Sequence, residues 1–167
     1  VATTFKKIAS VTVGSGGSST IDFTAIPSTY TDLFMQVSAR NTTSSYWASI
    51  KFNNSTSNFK IITLQGTGSA VSYNVDSSGT YAMNPVASTM TANTFGSGGL
   101  YVPNYAGSAN KSFSFDATQE NNATESYWGV SNGLWSNTAA INQITLTSGG
   151  TAFAEHSTAT LYGIKNS

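Results

Sequence analysis

Apolar and polar residues alternate with a period of two along most of this chain, the pattern of strands with one buried face. Leu33, Met35, Val37 and Ala39 form the clearest stripe, with Asp32, Gln36 and Ser38 opposite and Phe34 as the apolar exception. Tyr46, Ala48, Ile50 and Phe52 form another, ending at the turn-forming pair Asn53-Asn54. Phe5 to Val13 reads as a first strand closed by the GSGG run at 14–17, and Ile21 with Phe23 as a short second strand that stops before Pro27. Further strands are predicted at 59–64, 71–75, 100–102, 112–117, 127–134, 141–146, 151–154 and 159–164, most bounded by Gly, Asn, Ser or Pro. No segment of ten or more residues keeps the spacing of an amphipathic helix. The expectation is all-β: a single-domain antiparallel β-sandwich, jelly-roll-like, of about ten to twelve strands. It spans residues 5–167, with 1–10 as an N-terminal arm and first strand.

A longer regularity overlies the strands. NTTSSYW at 41–47 recurs as NATESYW at 122–128, an offset of 81; the GSGG of 14–17 recurs at 96–99, and Ile62-Thr-Leu64 at Ile144-Thr-Leu146, both at 82. Three matches at nearly one spacing suggest a pseudo-repeat of two half-domains, not a solenoid. In a chain this rich in Ser, Thr and Asn, such matches also arise by chance.

Composition sharpens the picture. Ser and Thr number about fifty of 167 residues, and charged residues are 8%, against about 25% in an average soluble domain. So many hydroxyls suit a disordered linker, but 39% hydrophobic and 12% aromatic residues are enough to build a core. Size scaling gives about 7,900 Å² of folded surface and lets about two thirds of the chain's surface be buried, so no disulfide or metal is needed for folding. Net charge is zero, with no basic cluster beyond Lys6-Lys7, which argues against a nucleic-acid or anionic-membrane partner. No apolar run approaches the ~18–20 residues of a membrane span, and the first residues lack the apolar core of a signal peptide. The absence of cysteine agrees with synthesis in a reducing cytoplasm.

Catalytic chemistry finds little to stand on. His156 is the single histidine, and neither HExxH nor GxSxG spacing occurs. Asp116, Glu120 and Glu125 lie close in sequence and are the candidates for a pair of glycosidase carboxylates. The two glycine clusters lack a Walker lysine and read as loops leading into strands. No DxDxDG pattern marks a calcium loop. The chain is expected to be no enzyme, with no metal and no cofactor.

The aromatic residues remain. Tyr46-Trp47, Tyr127-Trp128 and Trp135 sit beside Asn and Ser, a mixture that binds sugars by ring stacking and amide hydrogen bonds. Large aromatics in a sandwich also serve as core. Trp47 falls on the opposite parity to Ala48, Ile50 and Phe52, so it is expected to face outward, toward a ligand or a subunit.

VTVGSGGSSTIDFTAIPSTYTDLFMQVSAR at 11–40, TANTFGSGGLYVPNY at 91–105 and STATLYGIKNS at 157–167 resemble small structural proteins of tailed bacteriophages, especially those of marine and freshwater phages and cyanophages. The resemblance covers nearly the whole chain, with IPSTYTDL and STATLYGIK its most specific segments. It implies a β-sandwich virion protein without catalytic residues, in the first place an external capsid cement or decoration protein. Its partners would be the major capsid protein or other virion proteins and its own copies, as a homotrimer. Val1, Ala2, Thr3, Thr4 and Phe5 are then candidates for an anchoring arm. The alternative is a tail fibre or spike module that recognises a host surface glycan through Tyr46, Trp47, Tyr127, Trp128 and Trp135.

Overall fold

The computed structural model describes residues 4–76, 81–83 and 85–165, the backbone alone at 81–83. Twelve strands run in the order β1 (Phe5–Thr12), β2 (Thr20–Phe23), β3 (Asp32–Ala39), β4 (Ala48–Phe52), β5 (Phe59–Gly66), β6 (Val71–Asp76), β7 (Tyr81–Met83), β8 (Gly96–Val102), β9 (Lys111–Asn121), β10 (Glu125–Trp135), β11 (Ile144–Ser148) and β12 (Thr158–Ile164). They form an eight-stranded antiparallel sheet, β1-β12-β3-β8-β9-β10-β5-β6, and a second sheet, β2-β11-β4-β7, whose last member is the three-residue β7. The chain is therefore an all-β domain of two antiparallel sheets. Its accessible surface, 7923 Å², matches the value expected of one folded domain of this mass.

The core lies between the sheets, and the alternation in the sequence decides which side chains enter it. Leu33, Met35 and Val37 of β3, Leu161 of β12 and Leu100 of β8 meet Ile21, Phe23, Ile50, Phe52 and Leu146 from the second sheet. At one end Phe52, Phe59, Phe113 and Trp135 close into an aromatic cluster, with Phe52 edge-on to Phe113 at 5.2 Å and Phe59 stacked on Trp135 at 6.0 Å. Buried polar groups are mostly bonded: Asp32 accepts from the Tyr101 hydroxyl and the Asn104 N–H, both at 2.9 Å. The Lys111 ammonium donates to the Gly107 and Ala109 carbonyls.

The two edges of the large sheet differ. β1 carries Lys6 and Lys7 and a register break between Lys7 and Ala9, devices that blunt an edge against further strand pairing. β6, VSYNVD, has no lysine and no proline and is exposed over nearly its whole length.

Two expectations need correction. The glycines of 96–99 are strand, not loop: they pair with β3 and β9, and a Cβ on Gly98 would stand 2.7 Å from the Phe115 ring. Residues 151–154 form no strand; Phe153 makes only isolated bridges to Ser18 and Asn41. The repeated motifs fall in unlike settings. The first GSGG is a turn with Gly16 and Gly17 at positive φ, where a Cβ on Gly17 would lie 2.6 Å from the Phe153 carbonyl oxygen, whereas the second is a strand. Ile62-Thr63-Leu64 lies in the large sheet and Ile144-Thr145-Leu146 in the small one.

Candidate functional site

β10, β5 and β6 extend the large sheet; β10 and β5 carry apolar residues on both faces, and β6 on the outer one. Inward go Phe59, Ile61 and Trp135. Outward, cross-strand register sets Trp128 beside Gly66 and Val71, Val130 beside Leu64 and Tyr73, and Asn132 beside Ile62 and Val75. Leu134 continues this face, and every one of its apolar side chains is substantially exposed, Tyr73 to 77%. At their fractional exposures these eight residues, backbone included, present on the order of 800 Å². That is on the scale of the ~300–600 Å² of the largest apolar patch on a typical monomer and of one partner's share of a standard interface. The Trp128 indole lies across Gly66, where a Cβ would come within 2.5 Å of its Nε1.

A second feature lies at the end of the same strands. Tyr46, Gln65, Gly66, Thr67, Gln119, Tyr127 and Trp128 line a cavity of about 160 Å³. Gln119 follows Phe113, Phe115 and Ala117 on the inward parity of β9 and is 3% exposed, yet neither its amide oxygen nor its amide nitrogen has a hydrogen-bond partner. Leaving such a group unsatisfied costs about 1–3 kcal/mol. Opposite it in register stands Tyr127, whose hydroxyl accepts from the Asn121 Nδ2 at 3.1 Å.

Of the aromatic residues singled out by the sequence, Tyr46, Tyr127 and Trp128 come together at this cavity. Trp47 is exposed, as its parity predicts, and packs over Gly149. Trp135 is not a surface contact: it is 1% exposed, because its parity on β10 turns it into the aromatic cluster. Of the proposed arm, Val1, Ala2 and Thr3 lie outside the described residues. Thr4 and Phe5 are no free arm. The Thr4 carbonyl accepts from the Lys165 N–H, Phe5 pairs with Ile164, and its ring sits edge-on to Phe34 at 6.1 Å and Tyr162 at 6.4 Å.

Of the carboxylates, Glu120 takes a structural post. Asp116 and Glu120 are four residues apart on one strand, about 13 Å between Cα atoms, against the ~5–9.5 Å between paired glycosidase carboxyls, and Glu125 stands across the hairpin opposite Asn121. Glu120 accepts from the Ala123 N–H at 2.8 Å and from the Thr91 N–H and the Thr91 and Thr94 hydroxyls at 3.0 Å. The Ala123 N–H foremost holds its carboxyl below the usual range. From the other side the Arg40 guanidinium donates to the carbonyls of Ser88, Met90, Thr91 and Thr94 at 2.8–3.1 Å. Together they clasp the loop between β7 and β8. His156 occupies a left-handed turn, φ 71°, with its N–H on the Val13 carbonyl. Among the described residues no three His, Asp or Glu side chains gather as a metal site.

Sequence reasoning missed Gln119 and the outer face. Both carry a signal: a polar residue on an inward parity, and in KIITL at 60–64 apolar residues on both parities. The chain matches no protein-family model, no curated protein and no solved structure.

Proposed function

We propose that this domain is a non-enzymatic structural protein of a tailed-phage virion, an external capsid cement or decoration protein that binds the head lattice and its own copies in a cyclic homotrimer. The observation that carries the reading is the outer face of β10, β5 and β6. An apolar surface of interface size beside an edge strand without lysine or proline suits permanent contact with another subunit. The absence of net charge suits close packing of identical copies on a lattice. Three-fold lattice positions match a closed cyclic trimer.

We also infer a sandwich of jelly-roll type. Without the hairpins β5–β6 and β9–β10, eight strands remain, and β1 pairs with β12, β2 with β11, β3 with β8, and β4 with β7, all antiparallel. Nested pairing of first with last, second with second-last and so on is one long ribbon rolled into two sheets, the plan of the eight-stranded double Greek key. The hairpins are then insertions that build the apolar extension. The half-domain repeat finds no support in this pairing.

Immunogold labelling of the intact parent phage with an antibody to this chain tests the reading. Gold over the head is expected. Gold confined to the tail overturns the capsid assignment in favour of a receptor-binding module, and no gold on accessible particles overturns the virion assignment.

A further inference from the structure

We infer that the cavity bounded by Tyr46, Gln119 and Tyr127 binds one uncharged pyranose unit of a glycan. This goes beyond the lattice reading and does not rest on it: Trp128 borders both, but Tyr46, Gln119 and Tyr127, which bound the cavity, take no part in the outer face.

Gln119 leads the argument. Its amide offers an acceptor oxygen and a nitrogen with two hydrogens, both buried and both without a partner in the protein, whereas nearly all buried polar atoms in native folds are bonded. Both atoms lie just beneath the cavity wall, so an occupant that satisfies them draws the amide out by a side-chain rotation and must donate and accept through neighbouring atoms, as adjacent sugar hydroxyls do. Gln65 and Thr67 add an amide and a hydroxyl to the same wall. No lining residue carries a charge at neutral pH, so nothing there would compensate a buried carboxylate, sulfate or ammonium. Tyr46, Tyr127 and Trp128 supply rings against which the C–H face of a sugar packs. The volume, about 160 Å³, is well below the ~300–1,000 Å³ of sites for drug-sized ligands. It suits one ring, and thus a terminal or protruding unit of a larger glycan. The competing occupant is an ordered water fixed for structural reasons.

The test titrates the purified protein with methyl α-glucopyranoside, methyl α-galactopyranoside, methyl α-mannopyranoside and methyl N-acetyl-β-glucosaminide. Saturation-transfer NMR and indole fluorescence are the readouts. At least one glycoside is expected to bind saturably below about 10 mM. Gln119→Leu, which removes an amide that bonds to nothing in the protein, should weaken it about tenfold or more while Tm stays level or rises. Tyr46→Ala, at a partly exposed loop position, should weaken binding similarly with Tm unchanged. Absence of saturation for all four glycosides overturns the proposal, as does binding that survives Gln119→Leu. A lowered Tm in Gln119→Leu overturns it too, because the amide is then already satisfied by structural water.

Discussion

Leu64 and Val130 face each other across β5 and β10 at the middle of the exposed apolar face, and replacing both with lysine separates a subunit contact from an idle surface. In the isolated domain Leu64 is 41% and Val130 37% exposed, so a lysine stem can lie along the sheet with its ammonium in water. Each change should then cost no more than about 0.5 kcal/mol, with a Tm shift of a few degrees at most. In an assembly that covers this face, the pair would bury on the order of 140 Å², about 3.5 kcal/mol at ~25 cal/mol per Å². Two unpaired ammonium groups forced into the contact add several kcal/mol each. Association should weaken by at least ~100-fold. Sedimentation velocity between about 10 and 100 μM should find trimer for the wild type and monomer for the double variant, with similar Tm values. A wild type that stays monomeric at the higher concentration refutes the reasoning, and so does a variant that sediments like the wild type.

Trp135→Ala empties the centre of the aromatic cluster and should cost about 3–5 kcal/mol, measured by urea unfolding; a loss under 1 kcal/mol would mean that the cluster does not support the fold. Arg40→Ala leaves four carbonyls of the loop between β7 and β8 without their charged donor. Amide exchange across residues 88–94 should accelerate while the strands of the core stay protected, and unchanged exchange there would contradict the clasp. The hydrogen bond to Asp32 raises the Tyr101 pKa above 10.0, and burial raises that of Tyr105. The unfolded chain therefore loses these protons first, so stability should fall as pH climbs past 10. Lys111, lowered below 10.5 by burial, works the other way, adding stability as pH rises toward that value. Tyr101→Phe should flatten the alkaline loss in urea titrations between about pH 9 and 11, and an equally steep loss would remove Tyr101 as its source.

The sandwich was legible wherever one face of a strand meets water. In β3 and β4 the alternation of Leu33, Met35 and Val37, and of Ala48, Ile50 and Phe52, maps directly onto burial. It faded where the second face has another use. The glycines of β8 give no apolar signal, because their place is to admit the Phe115 and Phe34 rings, and turn chemistry is the ordinary reading of such a run. β7 is three residues long, too short for a period to register. At Phe153 an apolar residue enters the core from a loop, which imitates a strand in sequence. Tyr46, Tyr127 and Trp128 could be singled out by type, but their meeting depends on a contact between a loop and a distant hairpin that no local pattern encodes. Trp135 shares that composition and the parity of Tyr127; what separates it from the cavity is its place at the far end of β10, opposite Phe59, which composition does not encode.

The nested pairing also dictates when the domain can form. β1 waits for β12, about 150 residues further along, and β2 for β11, over 120 residues away. Loop closure on that scale precedes any reward from strand contacts, which places such folds among the slow ones, milliseconds to seconds. During synthesis β1 and β2 have no strand partner until β12 and β11 exist, whereas the hairpins β5–β6 and β9–β10 can close locally within microseconds. The apolar extension is thus the earliest part able to take shape and the one most exposed to wrong partners while the rest is incomplete. Expression at low temperature, or beside a holdase chaperone, should raise the yield of native protein more than it does for a helical domain of equal length.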